Sequence, residues 1–339
     1  MNRTSRLPII FIATLLGALV LSACGASNAA PTPAPDKVNV QLGWTYEFST
    51  AEFYAAEKNG RFAAQNLAVN LQQGGFVNGA YVDTIADVLS GKSDFGLTDD
   101  ITLLQARADG KPMVALATMM QRSPSAVISL PKANIHHPQD LVGKKVAVAD
   151  GGARALFITL LTTANVDPSQ VTIVPRTTFG VDPLVKGDVD ALVGWIMNEG
   201  VQVKQAGFAP DMMLLSDYGI ESYTNVLIAT EQTVKNKPQI VQRFVMAVTQ
   251  GLQDVVSNPD QAVTYTLAYG TTLTKDNETL GLTAMLPLVA PVGSKPGMMD
   301  DATWKATYQM VTDQKLISKP FDVSTAYTFN FLNQVYSKQ

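Results

Sequence analysis

The residues with the clearest chemical potential are 194–200, which read GWIMNEG. They follow an apolar run, 189–193, that is typical of a strand, and they lead into a predicted helix. Trp195 can stack on a flat ring, while Asn198 and Glu199 can hydrogen-bond the edge of that ring. The same residues would also suit a packed turn, with a buried Trp beside a capping Asn and Glu. Taken alone, the segment favours neither reading.

Similar residue types recur where other predicted strands give way to helices. Two of the three Trp residues lie in such turns, and a Trp used only for packing has no reason to prefer them. Ligands of α/β proteins collect at the carboxyl ends of strands. We therefore predict one binding site that includes Trp195, Asn198 and Glu199. Its other predicted members are Trp44, Tyr46, Phe48, Gly75, Asn78, Asp99, Asp100, Arg154 and Tyr223.

Several of these residues have structural alternatives that the sequence leaves open. Asp99 and Asp100 can accept hydrogen bonds from a ligand, or one of them can cap the helix that begins near residue 101. Arg154 follows two glycines at a predicted helix start, where anions bind, but the neighbouring Asp150 would oppose an anion. Tyr223 can form a wall of the site or pack in the core.

The elements that position these residues alternate between strands and helices. Strands are predicted near 38–42, 67–72, 94–97, 113–119, 126–130, 145–149, 171–174, 189–193, 212–215 and 226–229. The main helices are predicted at 51–59, 81–90, 153–165, 238–257, 259–268 and 302–312, with Pro287 among the residues that interrupt the C-terminal part. Strands separated by helices indicate an α/β fold with mixed, mainly parallel sheets flanked by helices.

Size and composition limit the classes of protein. The 339 residues exceed one ordinary core and favour two lobes. The formal charge is -4 and no Lys/Arg run occurs, so nucleic acid is not an expected partner. His136 and His137 are the only histidines, which leaves no multi-His metal site. We expect no catalytic residues, no metal and no cofactor.

The N-terminus has the pattern of a processed export signal. Arg3 and Arg6 precede an apolar run, 7–20, and a Leu-Ser-Ala-Cys sequence ends at Cys24, the only cysteine. We predict a signal peptide at 1–23, lipidation of Cys24, and a flexible tether over 24–37. The alternative is an uncleaved anchor helix. With one cysteine, the folded body has no disulfide.

Several motifs resemble the substrate-binding proteins of ABC importers, in the branch that serves thiamine pyrimidine precursors and riboflavin. The motifs are LGW at 42–44 with AEFYAAE at 51–57, GKKVAV at 143–148, DALVGWIMNEG at 190–200, and 217–229. Their order and spacing extend over nearly the whole chain after residue 38. Members that bind riboflavin are the most similar.

The resemblance implies a two-lobe fold that closes on a ligand in its cleft. The first lobe would comprise 38–120 and 225–339, and the second 121–224. The implied protein is a monomer, lipid-anchored at the extracytoplasmic face of the cell membrane, that delivers riboflavin to a permease. A hydroxymethyl- or formylaminopyrimidine is the alternative ligand. Two competing functions are a pyrimidine-synthase-like enzyme, whose relatives have cysteine-rich features that this chain lacks, and a tethered adhesion module.

Overall fold

The computed structural model describes residues 33–77, 80–176 and 180–337. The strands in this part are β1 (Asp36–Gln41), β2 (Leu67–Gln72), β3 (Phe76–Val77), β4 (Ala80–Tyr81), β5 (Phe95–Thr98), β6 (Met113–Met120), β7 (Ser125–Ser129), β8 (Lys145–Val148), β9 (Thr172–Pro175), β10 (Ala191–Trp195), β11 (Asp211–Leu214) and β12 (Thr224–Thr230). The helices are α1 (Ala51–Lys58), α2 (Arg61–Ala64), α3 (Thr84–Leu89), α4 (Asp100–Ala108), α5 (Gly152–Thr163), α6 (Asp182–Lys186), α7 (Glu199–Gln205), α8 (Glu231–Asn236), α9 (Pro238–Ser257), α10 (Pro259–Thr266), α11 (Lys275–Val289), α12 (Asp301–Asp313) and α13 (Asn330–Tyr336).

The first sheet has five strands in the order β2-β1-β5-β12-β6. β1 pairs in parallel with β2 and β5, and β12 runs antiparallel to both β5 and β6. Every residue of β6 is buried, as expected for a strand covered by helices. On the helical layer, the Phe244 ring of α9 stacks on Phe95 with centroids 4.1 Å apart. The large apolar side chains of this half thus form one core.

The second sheet also has five strands, in the order β11-β7-β10-β8-β9. β8 pairs in parallel with β9 and β10, whereas β7 runs antiparallel to β10 and β11. All five strands of this sheet come from one continuous part of the chain. The first sheet is discontinuous, because its strand β12 follows the last strand of the second sheet in sequence. The chain therefore passes between the sheets twice, through 121–124 and through 215–223. The lobe boundaries at 120/121 and 224/225 stay a prediction.

The structure confirms the predicted strands and most of the predicted helices, with two corrections. The helix predicted from residue 81 begins at Thr84, where Asp83 caps it by accepting from Ala86 N at 3.0 Å; Tyr81 instead pairs with Phe76 in a small hairpin. Pro287 was expected to interrupt the C-terminal part, but it lies inside α11. A proline removes one helical hydrogen bond, and here the helix ends two residues later.

The predicted signal peptide at 1–23 and the predicted lipidation site Cys24 lie outside the described residues. Most of the predicted tether, 24–37, lies outside them as well. Within the described residues, no helix has both the length and the apolar character that a bilayer span requires.

Candidate functional site

Loops at the carboxyl ends of the parallel strands of the two sheets approach each other, and we refer to the region between these two edges as the cleft. A side chain at Gly152, in the first turn of α5, would lie 3.2 Å from Ile101 Cδ1 in the first turn of α4. Gln205 of α7 hydrogen-bonds Asn277 of α11. Because parallel strands end at one edge of a sheet, these contacts bring together the two edges where α/β proteins bind ligands.

On the first edge, the loop after β1 presents Trp44. Its ring lies 6.4 Å from that of Tyr81, centroid to centroid, at an angle of 49°. A side chain at Gly75 would meet Trp44 Cε3 at 3.2 Å, and Gly75 also has a positive φ of 69°, so only glycine suits this position. Tyr81 is 59% exposed and interacts electrostatically with Asp99. Tyr81 is therefore an aromatic residue of this edge that the sequence did not reveal, because it was assigned to a helix.

Tyr46 and Phe48 support the same loop from within. The Tyr46 hydroxyl donates to Leu71 O at 3.0 Å, and its ring packs against Tyr54 and Tyr269. Phe48 is buried, and its ring occupies the space that a side chain at Gly281 of α11 would need. The structure thus places both aromatic residues under the loop.

Glu47 lies between these two aromatics and was not among the predicted site residues. Its Oε1 accepts from Ser49 Oγ at 2.8 Å. Burial, with a smaller contribution from the charges of Glu278 and Glu199, raises the pKa of Glu47 to about 7, although the hydrogen bond from Ser49 acts in the opposite direction. Glu278 in turn accepts from Phe48 N at 2.7 Å, which fastens α11 to the loop. The sequence contained one signal for Glu47, because Glu47 lies in the same strand-to-helix turn as Trp44.

On the second edge, Glu199 begins α7 and holds the loop after β10. Its Oε2 accepts from Trp195 N at 2.7 Å, and its Oε1 pairs with Arg176 Nη2 at 2.8 Å. Arg176 also donates to Val193 O at 3.0 Å. The Arg176 and Glu199 side chains are only 9% and 8% exposed. Arg176 was missed in the sequence, because the strand was predicted to end at residue 174, whereas β9 ends at Pro175, directly before Arg176.

The glycine before Trp195 is explained by this arrangement. A side chain at Gly194 would lie 2.6 Å from Glu199 Oε2, too close for any real contact. The carboxylate therefore packs directly on the end of β10. Trp195 itself packs against the core but is only partly buried, so part of the residue stays exposed at this edge.

Asn198 and Arg154 complete the predicted residues of the second edge. Asn198 precedes α7, and its Oδ1 is shielded from solvent with no hydrogen-bond partner among the described residues. Arg154 is exposed in the first turn of α5, and no described residue forms an ion pair with it. Asn78 lies outside the described residues.

The remaining predicted residues make internal contacts. Asp99 caps α4 by accepting from Thr102 N at 2.8 Å. Asp100 is 0% exposed and accepts from Ser222 Oγ and Tyr223 N, both at 2.7 Å, and from Thr307 Oγ1 at 3.0 Å. Asp100 and Tyr223 are thus buried, and their roles as ligand-binding residues stay a prediction.

The sequence matches known proteins over most of its length. A family model described as NMT1/THI5 like matches residues 47–262. The riboflavin-binding protein RibY of Chloroflexus aurantiacus is 25% identical, over 93% of this chain and 95% of RibY. The formylaminopyrimidine-binding protein of Halalkalibacterium halodurans is 25% identical, over 94% of this chain and 97% of that protein. A 4-amino-5-hydroxymethyl-2-methylpyrimidine phosphate synthase of Legionella pneumophila is 23% identical, over 71% of this chain and 76% of the synthase.

Solved structures show the fold. The periplasmic sulfonate-binding protein SsuA of Methylobacillus flagellatus superposes with a TM-score of 0.71 at 15% identity, over 91% of this chain and 96% of SsuA. The periplasmic aliphatic sulphonate-binding protein SsuA of Escherichia coli gives a TM-score of 0.67 at 13% identity, over 86% of this chain and 92% of that one. The chain therefore has the periplasmic-binding-protein fold, as the sequence predicted.

Proposed function

The chain belongs to the NMT1/THI5-like family, and from this membership we propose that it is an extracytoplasmic solute-binding protein of an ABC importer. It captures a small aromatic heterocycle between the two facing sheet edges and delivers it to a permease. Relatives of nearly the same length are named for binding riboflavin and formylaminopyrimidine, which supports this class of ligand.

Riboflavin is the ligand we propose. The observation that favours it is the presence of a partly exposed Trp on each edge, Trp44 with Tyr81 on one and Trp195 on the other. Two such edges suit a broad planar ring, because offset stacking adds about 0.5–1.5 kcal/mol per aromatic pair beyond area burial. The smaller formylaminopyrimidine is the second candidate, favoured by the relative that bears its name.

The proposed cycle is one of binding without chemistry. The lobes 38–120 with 225–339 and 121–224 close around the ligand by hinge motion, and the closed form docks on the permease. We propose that the protein acts as a monomer held to the cell membrane through lipidated Cys24. A synthase activity of the kind named for some relatives is not proposed, because Cys24 is the only cysteine in the chain.

A fluorescence titration tests this function. The purified chain from residue 25 onward is added to riboflavin, and stacking on Trp or Tyr is expected to quench the flavin emission. Formylaminopyrimidine is titrated in parallel, with thermal stability as the readout. Quenching supports the flavin assignment; unchanged emission together with stabilisation by the pyrimidine replaces riboflavin with the second candidate. If neither compound binds, the proposed function is wrong.

A further inference from the structure

We propose that Glu47 recognises a hydrogen-bond donor on the edge of the bound ring: the imide N–H of a flavin or the exocyclic amino group of a pyrimidine. This inference rests on the proposed function and adds to it the residue that reads the ring. The predicted reader, Glu199, would instead position Trp195.

The first argument is the hydrogen-bonding capacity of the carboxylates at the cleft. Glu199 has both oxygens occupied, one by Arg176 and one by Trp195 N. Glu47 has only the Ser49 hydroxyl, on Oε1, and no described residue donates to its Oε2. A carboxylate offers about four lone-pair sites. Glu47 therefore retains acceptor capacity that the protein itself does not use.

The second argument is the position of Glu47. It lies in the loop that carries Trp44, and its carboxyl is close enough to interact electrostatically with Glu199 on the opposite edge. A ring that stacks on Trp44 would lie against the loop that also carries Glu47. The loop is fixed from behind, because Glu278 accepts from Phe48 N and Phe48 is buried. An acceptor held in this way selects a donor by its position.

The third argument comes from the opposite edge. Asn198 Oδ1 is a shielded acceptor without a partner among the described residues. Shielded acceptors favour a ligand that supplies donors, since an unsatisfied polar atom away from water is unfavourable. The ionisable side chains of the two edges also sum to a net negative charge when ionised, since four acids (Glu47, Asp99, Glu199 and Glu278) outnumber two cations (Arg154 and Arg176). The cleft thus suits a neutral or cationic ring with N–H groups and disfavours an anion such as a sulfonate.

A thermodynamic cycle that combines variants of Glu47 with analogues of the ligand isolates the proposed contact between Glu47 and the imide N–H. Riboflavin and 3-methylriboflavin, which lacks the imide N–H, are titrated calorimetrically at pH 8, where Glu47 is mostly ionised given its pKa of about 7. We expect wild-type protein to prefer riboflavin by about tenfold or more, and Glu47→Ala to bind the two flavins equally. Glu47→Gln keeps one carbonyl acceptor and should restore part of the preference. Asp260→Asn removes an exposed acid from α10 and should leave the preference intact.

The outcomes separate the two claims. If wild type binds riboflavin but Glu47→Ala shows the same preference as wild type, Glu47 is not the reader, and the proposed function stands. An alkanesulfonate that binds wild type as tightly as riboflavin also overturns the inference. If only the aminopyrimidine binds, the cycle is repeated with its analogue lacking the amino group, and the same criterion applies. If no ring binds wild-type protein, the proposed function itself fails.

Discussion

Single side chains at the second edge show how one acid organises a loop. Glu199 reaches back to the amide of Trp195 and sideways to Arg176, while Gly194 leaves room for its carboxylate. We infer that Glu199 acts on the ligand through the position of Trp195. The indole is then the residue whose loss should affect binding most directly.

Replacing Trp195 with alanine removes this stacking surface without touching the Arg176–Glu199 pair. We expect ligand affinity to fall by about tenfold or more, equivalent to roughly 1.4 kcal/mol. Calorimetry on the variant measures this loss. Phe208→Ala is the matched control, because Phe208 is an exposed aromatic of the same half, beyond α7. Equal affinities for wild type and Trp195→Ala would remove Trp195 from the site.

Replacing Arg176 with methionine tests the buried pair. Removing one partner leaves the Glu199 charge uncompensated in a shielded position, which typically costs about 3–5 kcal/mol of unfolding free energy. Urea denaturation measures the change. The double variant Arg176→Met/Glu199→Gln no longer contains the unpaired charge and should recover part of the loss. A single variant as stable as wild type would show that water solvates Glu199 fully.

The aromatic residues of the cleft could be predicted at this scale, but their polar partners could not. Trp44 and Trp195 were accessible to prediction because a large ring in a strand-to-helix turn is unusual. Arg176 and Glu199 are 23 positions apart. Their pairing depends on β9 and β10 both lying beside β8, which sequence spacing does not reveal. Nothing in the sequence distinguished Asp100 from its neighbour Asp99. In the folded protein Asp100 is buried, whereas Asp99 caps α4.

At the scale of elements, the start of α4 braces the second passage between the sheets. Asp99 caps the helix. Asp100 accepts hydrogen bonds from Ser222 Oγ and Tyr223 N, which belong to the segment that leads into β12. Thr307 of α12 donates to the same carboxylate. Two adjacent aspartates thus serve different elements.

The adjacent aspartates provide a matched pair of variants. Asp99→Ala removes one helix cap and should lower the unfolding free energy by about 1 kcal/mol. Asp100→Ala removes three hydrogen bonds at once, at about 1 kcal/mol each, and also leaves their buried donors unsatisfied. We therefore expect about 3 kcal/mol or more for Asp100→Ala in chemical denaturation. Equal losses for the two variants would contradict the bracing role.

Elements with a strong hydrophobic period were predicted well, and those without one were not. The long helix α9 buries one face, which includes Phe244 and Val248, so its pattern was clear. The hairpin of β3 and β4 has only two residues in each strand, too few for any period. Helix α11 was missed because Pro287 indicated a break, and tertiary packing prevailed over that local signal.

At the scale of the whole molecule, buried carboxyl groups set how stability responds to pH. Burial raises the pKa of Glu52 to about 8, that of Glu47 to about 7 and that of Asp100 to about 7. Glu52 is 0% exposed, and neither of its carboxylate oxygens has a partner among the described residues. In the unfolded chain these groups lose their protons near pH 4. Between about pH 4 and pH 8 the folded protein therefore holds more protons than the unfolded chain.

We expect the unfolding free energy to fall as pH rises through that window, because stability declines wherever the folded state binds more protons. Glu52→Gln should make the decline shallower and raise stability at pH 8 by about 2–4 kcal/mol, from about 1.4 kcal/mol per unit of pKa shift. Denaturation curves at several pH values measure the slope. Asp260→Asn is the control and should keep the wild-type slope. An unchanged slope in Glu52→Gln would show that Glu52 is ionised in the folded protein.

The place of β12 in the first sheet has a consequence for biosynthesis. β12 separates β5 from β6, so the sheet cannot close until residues 224–230 have been made and brought back to partners at 95–98 and 113–120. Pairings this distant form slowly, because the intervening chain must first be ordered. The second sheet needs only 125–214 and can form earlier. An emerging chain would thus hold β5 and β6 without the strand that joins them until residue 230 has been made, while the second sheet is already complete.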